Sequence, residues 1–304
     1  MTDSIVQSRI QLTDFCPLYV PLVSGDDYAV LIDSGTRQML PVLLETMRSA
    51  GVVSARLRFV LHTHSHHDHI GSNAELKRRT GCLVAAHPRY RAWHSDFERH
   101  VQEFARPLPE LVEDTAELRE EVLGILDGEH RVDLMVDEGF EVDLGGVRLE
   151  ALAFPGHMEA ELGWLERSSR TLILGDAITG LDWPIFHSHL SVTGYRSSLD
   201  RIESLLDDVG ITNVLFSHFP PASADETRAL VGKARAYLDE IEVNLIRIVA
   251  ESATVSVAAL WTELCRRMER RREFRALNTV RAHVEDLLAR AVIRNVGDHD
   301  YALR

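Results

Sequence analysis

The sequence predicts an α/β protein in two parts. Residues 1–222 read as a layered sheet domain with a helical insert at about 90–130, and residues 223–304 as a helical, winged-helix-like region. Three features of the pattern carry this reading. Short apolar runs alternate with turn signals and helix-period segments in a βαβ rhythm over the first two-thirds. Several of these runs end abruptly in histidine or aspartate. The last third changes to apolar residues at helical spacing and closes on a hairpin pattern.

The elements follow in order. YAVLIDSG (28–35) and RLRFVLHTH (56–64) read as buried strands with polar ends, NAELKRRTG (73–81) as a helix closed by Gly81, and CLVAAHP (82–88) as another strand. From about Tyr90 to Leu126 the chain is charged and helical, with breaks at Pro107 and Pro109. Its apolar residues Phe97, Val101, Phe104, Leu108, Leu111 and Leu118 form a face that must cover something, and a wall of the substrate path is the expectation. Strands resume at 140–154, where Gly145-Gly146 signals a hairpin, at 162–176 with a turn at Arg167 to Ser169, and at 212–218. FPPASADE (219–226) marks the boundary to a long helix from Asp225 to Val249, two further helices at 257–268 and 279–291, and a hairpin at 292–304.

Composition narrows the function classes. The chain of 304 residues is 45% hydrophobic, enough for a sizeable core. A net charge of −14 opposes a grip on phosphate backbones, so no nucleic-acid partner is expected. The basic run RRMERRREFR (266–275) is interrupted by Glu269 and Glu273 and reads as a solvated face. The winged-helix-like tail is then expected to pack over the active site or to form a homodimer contact. Cys16, Cys82 and Cys265 are far apart and in no CxxC pair, which suits a reducing cytoplasm. No stretch reads as a signal peptide or a membrane span.

The chemistry concentrates in LHTHSHHDHIGS (61–72). If residues 57–64 form a strand, His64 and His66 point the same way at its end, with Asp68 and His69 just beyond. One loop can thus face two metal ions. Imidazole and carboxylate without thiolate suit zinc, iron or manganese, and leave positions open to water and substrate. His62, on the opposite face, and His67, in a spacer position, are expected to support the ligands rather than to bind metal.

These residues, together with LIDSG around Asp33, PGH at His157, LGDA at Asp176 and SHFPP at His218, resemble the metallo-β-lactamase superfamily over roughly residues 15–222. The resemblance implies an αββα sandwich with ligands at one edge. It implies that His64, His66 and His157 hold a first divalent metal, that Asp68, His69 and His218 hold a second, and that Asp176 bridges them. Zinc is the first choice of metal, iron or manganese the alternatives. Two such cations supply hydroxide near neutral pH and polarise a carbonyl, with Asp68 orienting the nucleophile and Asp33 ordering the ligand loops.

Common patterns are also departed from. Met158, Glu159 and Glu161 replace the usual small or hydroxyl residues after His157, which suggests an altered site mouth. Thr179 stands where lactonases of the superfamily carry tyrosine. The insert and tail instead resemble the thioesterase-type members, including the quinolone-response thioesterase, and the lactamase-β-2-like branch. The expected partner is therefore a small-molecule acyl substrate, an aryl- or medium-chain acyl thioester. A lactone or ester, or a persulfide-dioxygenase-like reaction at a single iron, is the alternative. Trp183 and Phe186, with His187 and Thr179, are the candidate substrate contacts, and Ile185 and His189 lie in the same segment.

Overall fold

The computed structural model describes residues 4–178 and 180–304. Among these, the chain builds two six-stranded sheets and one small three-stranded sheet. The first sheet runs in chain order β1 (Ile5–Gln11), β2 (Pro17–Ser24), β3 (Ala29–Ile32), β4 (Leu57–Leu61), β5 (Leu83–Ala86) and β6 (Leu134–Met135). Its first three strands are antiparallel, and β3 to β6 are parallel. The second sheet comprises β7 (Glu141–Asp143), β8 (Arg148–Ala153), β9 (Leu162–Glu166), β10 (Thr171–Ile173), β11 (Asn213–Leu215) and β12 (Ala222–Ser223), with only β10 and β11 parallel.

The sheets face each other across a core that includes Val30, Ile32, Leu61, Leu162, Trp164 and Ile173. Strand β3 is buried along its whole length, as expected of an apolar run covered on both faces. Helix α1 (Leu40–Ser49) covers the outer face of the first sheet through Leu43 and Met47, joined by Leu76. A four-residue turn, α2 (His67–Ile70), leads into α3 (Asn73–Thr80), which carries Leu76.

The insert is helical, with the expected break at Pro107 and Pro109. It is a series of short turns, α4 (Arg91–Ser95), a π-helical turn at His100–Ala105 and α5 (Ala116–Leu123), because Pro107 and Pro109 cut the periodic stretch. The outer face of the second sheet is covered by α6 (Val192–Asp208) and then by the C-terminal region. There α7 (Ala224–Ala250) starts on a Ser223/Glu226 capping box. It is followed by α8 (Val257–Arg267), α9 (Phe274–Ala289) and a sheet of β13 (Val255–Ser256), β14 (Ile293–Gly297) and β15 (Asp300–Leu303).

One hairpin went unread in the sequence, and two local expectations need correction. The β1–β2 hairpin was not visible because β1 alternates weakly between polar and apolar residues at a sheet edge. Helix α9 begins at Phe274, not 279, because its cap is Glu273, whose carboxylate accepts from the Arg275 and Ala276 amides, a residue type that does not advertise a helix start. Strand β4 stops at Leu61, so His64 and His66 leave a loop rather than a strand end.

Candidate metal centre

The loop after β4 and the loops after β8, β10 and β11 open at the same sandwich edge and bring seven donors together. Among the described residues, three groups have donor atoms within 4.8 Å of one another: His64, His66 and His157; His64, His69 and Asp176; and Asp68, His69 and His218. His66 Nδ1 lies 3.1 Å from His64 Nε2 and 2.8 Å from His157 Nε2. Asp176 stands between the groups, with Oδ1 3.4 Å from His69 Nε2 and Oδ2 3.6 Å from His157 Nε2 and 3.4 Å from His218 Nε2. Asp68 Oδ2 is 3.4 Å from His218 Nε2 and 3.8 Å from His69 Nε2.

Hydrogen bonds on the far side of each ring choose which nitrogen faces inward. His69 Nδ1 donates to Asp33 Oδ2 at 3.0 Å, His218 Nδ1 to the Pro17 carbonyl at 2.8 Å, and His157 Nδ1 to the Ser188 carbonyl at 2.5 Å. His64 Nδ1 donates to Thr63 Oγ1, which itself donates to Asp33 Oδ2. Four Nε2 atoms are thereby aimed at the centre, as oriented metal ligands are. Among the described residues, His69 Nε2 and Asp176 Oδ1 are buried with no hydrogen-bond partner. Buried donors that converge without partners fit a divalent cation, and their nitrogen and oxygen chemistry suits zinc, iron or manganese.

The charges are arranged in two halves. Burial, then the neighbouring histidines, push His64 and His66 well below the ordinary imidazole range, so that side holds neutral rings. Burial opposes ionisation of Asp68 and Asp176, but the neighbouring histidines outweigh it and hold both low. Burial likewise opposes the charge on His69, yet Asp68, Asp176 and Asp33 raise it to about 9.

Two glycines allow this approach. A Cβ on Gly156 would lie 2.5 Å from the Tyr195 backbone, and one on Gly175 would lie 2.4 Å from Thr63 Oγ1. Only glycine therefore lets the residues before His157 and Asp176 sit so close to their neighbours.

Asp33 and His62 belong to a buried relay behind the ligand loop. His62 Nδ1 donates to Asp33 Oδ1, and Asn73 Nδ2 donates to both His62 Nε2 and His130 Nε2. His94 Nδ1 donates to His130 Nε2 at 3.0 Å, and Ser65 Oγ donates to His94 Nε2 at 3.0 Å. Asn73, His94 and His130 were not singled out from the sequence. Their signal, two histidines inside the insert, gains meaning only when the insert is folded against the loop. His67 sits outside the donor groups, against His100 and Phe104 at ring distances of 6.1 and 6.0 Å.

The substrate-side expectations divide. Trp183 is half-buried, with its ring 5.5 Å from that of His218. Phe186 is fully buried in the core beside Tyr237. His187 lies behind the centre, with Nε2 2.8 Å from His157 Nδ1 and its ring stacked on His157 at 4.8 Å. Thr179 lies outside the described residues. The three residues expected to alter the mouth also divide. Met158 is buried with Trp93, Phe104 and Phe274, and Glu161 is buried beneath Asp176, its Oε1 accepting from the Asp176 amide at 2.6 Å. Burial, then repulsion from Asp176, raises Glu161 well above the carboxylate range. Glu159 is the outward member, paired with Arg89.

The class is thus an αββα sandwich with a histidine and aspartate cluster suited to metal at one edge. Residues 14–218 match the metallo-beta-lactamase superfamily, and the chain belongs to that superfamily. The fold of the whole chain is shared with a metallo-beta-lactamase family protein from Thermus thermophilus, at a TM-score of 0.79 and 19% identity over 99% of both chains. A hydroxyacylglutathione hydrolase of Methylococcus capsulatus is 28% identical over 153 residues, 49% of this chain and 44% of that protein. A beta-lactamase-like protein 2 homolog of Caenorhabditis elegans is 24% identical over 163 residues, 53% of this chain and 51% of that protein. The chain therefore spans about half the length of these curated relatives.

Proposed function

We propose that this chain is a metal-dependent hydrolase that opens an acyl carbonyl, with an aryl- or medium-chain acyl thioester as substrate and a cytoplasmic setting. The observation that carries the reading is Asp176, whose carboxylate stands between the two histidine groups, with Oδ2 near both His157 and His218 and Oδ1 near His69. That arrangement supports two ions, one held by His64, His66 and His157 and one by Asp68, His69 and His218, with Asp176 shared. Divalent metal held there would supply an activated water and polarise the substrate carbonyl.

The chain's own residues do the rest. The Asp68 side chain is 21% exposed while those of His69, His218 and Asp176 stay under 8%. Asp68 is therefore the donor most open to incoming water and would orient it through a carboxylate oxygen. Phe104 covers His66 at 4.1 Å and keeps bulk water from that side. The thioester preference draws on the hydroxyacylglutathione hydrolase, whose named reaction cleaves an acyl–sulfur bond.

The test is a substrate panel of acyl thioesters, lactones, aryl esters and phosphodiesters with metal-loaded protein, combined with metal analysis. About two ions per chain and preferred thioester turnover are expected, with fewer ions held by Asp176→Ala. Saturation at one ion removes the dinuclear reading. Preferred lactone turnover moves the substrate class, and oxygen uptake with bound iron moves the reaction to oxidation.

A further inference from the structure

The segment from Gly180 to His189 runs from just beyond Asp176 back under His157 and forms neither helix nor strand. One side chain of the C-terminal region makes four hydrogen bonds to it. Arg270, in the turn between α8 and α9, donates through Nη1 to the carbonyls of Trp183 at 2.6 Å, Ile185 at 2.7 Å and Gly180 at 3.4 Å. Through Nη2 it donates to Leu181 at 2.6 Å. Its guanidinium lies over the rings of Tyr237 and Phe186, 5.1 and 5.6 Å from their centroids. The Arg271 amide adds a bond to the Pro184 carbonyl at 2.9 Å, and Thr279 Oγ1 one to the His187 carbonyl at 3.0 Å. The opposite side of the segment faces the metal centre. Trp183 stands edge-on to His218 and 5.6 Å from Phe15, and both aromatic side chains are half-buried.

We propose that Arg270 is a positioning residue through which the C-terminal region sets the Trp183 wall of the substrate site. Four carbonyl oxygens that converge repel one another unless a cation with several fixed donors fills the space between them. A guanidinium does so with its rigid planar fork, whereas an ammonium offers three donors around one point. Without Arg270 each carbonyl must find water, and the segment opens toward solvent. Trp183 then leaves its place beside His218, and the aryl or acyl group of a bulky substrate loses a surface to pack on. The kinetic part of this inference rests on the hydrolase reading above; the structural part does not.

The experiment compares full-length, metal-loaded wild type with Arg270→Ala and Arg270→Lys. Hydrogen–deuterium exchange is followed in peptides covering 180–189 and in peptides of α8 and α9. KM and kcat are followed for a bulky aryl thioester and a small acetyl thioester. In Arg270→Ala, exchange in 180–189 should quicken about tenfold while α8 and α9 keep their protection. KM for the bulky thioester should rise about tenfold more than KM for the small one, with bound metal retained, because a packing surface is lost rather than a chemical group. Arg270→Lys, the milder change should Arg270→Ala not fold, should fall between the two. Unaltered exchange in 180–189, or equal KM changes for both thioesters, overturns the proposal. So does loss of protection spread evenly through α8 and α9, which marks a general structural role. If the wild type turns over no thioester, the substrate reading falls, and the exchange comparison alone still decides the role of Arg270.

Discussion

Asp33 shows how much of the site depends on a residue that need not touch metal. It sits at a positive φ of 65° and accepts from His62 Nδ1, the Thr63 amide, Thr63 Oγ1 and His69 Nδ1. Asparagine tolerates the same backbone but loses the charge. Asp33→Asn should therefore weaken metal binding by about 10- to 100-fold, the usual cost of losing a ligand's outer partner, measured by competition with a chelator. His69 gives a pH dependence of defined sign. Its pKa in the folded, metal-free protein is raised to about 9, so its stabilising contribution is complete below the unfolded value of about 6.5 and is lost as pH rises through 9. The metal-free protein should lose thermal stability across this window. Zinc binding should release protons at neutral pH and tighten with rising pH up to about 9. Thermal melts with and without chelator, and calorimetry in buffers of different ionisation enthalpy, check both; metal binding that does not change between pH 7 and 9 contradicts them.

At the scale of elements, the insert is the part whose role depends on contact rather than type. Its apolar face was legible in the sequence, but not which members reach the centre. Val101 and Phe104 are buried with Trp93, Val122, Met158 and Phe274, while Phe97 lies outward against His100 and His130. The π-helical turn at His100–Ala105 carries Phe104 onto His66, and the Asn278 side chain in α9 donates to its carbonyl at 3.0 Å. Phe104→Leu should raise KM for a bulky thioester several-fold with metal retained, and Phe97→Leu should leave KM within about twofold. Equal effects at the two positions would show that the insert does not wall the site through Phe104.

On the scale of the whole molecule, one continuous apolar cluster links the second sheet to the tail. Leu152, Leu165 and Leu172 share it with Leu199 of α6, Leu238 of α7, Leu260 of α8 and Leu277 of α9. Ending the chain at residue 222 uncovers that sheet face. The shortened protein should aggregate or melt far below the full chain, since burial of this size exceeds the net stability of a domain. A soluble, cooperatively melting fragment would show that the sheet sandwich closes without α7 to α9. No helix among the described residues is long and apolar enough to cross a membrane, so α7 is explained by this packing.

The loop donors were readable from the residues themselves because metal chemistry constrains side-chain type and local spacing, and both are one-dimensional, whereas His157, Asp176 and His218 came with the family resemblance. His64, His66, Asp68 and His69 stand in one short loop, and His157, Asp176 and His218 each follow an apolar run, so sheet topology delivers them to one edge. Apolar spacing likewise marked α7, and paired glycines the hairpin of β7 and β8, since both are local requirements. What lay beyond reach depends on which distant segments touch. The run at 266–275 looked solvated, yet Arg270 and Arg275 turn inward, one to the carbonyls of 180–185 and the other to Glu121 and Glu273. Glu161 looked like a mouth residue, yet it lies buried under Asp176. A charged side chain can be solvated or can satisfy buried carbonyls, and its own sequence is the same in both cases. Only the tertiary structure supplies the partner that decides between them.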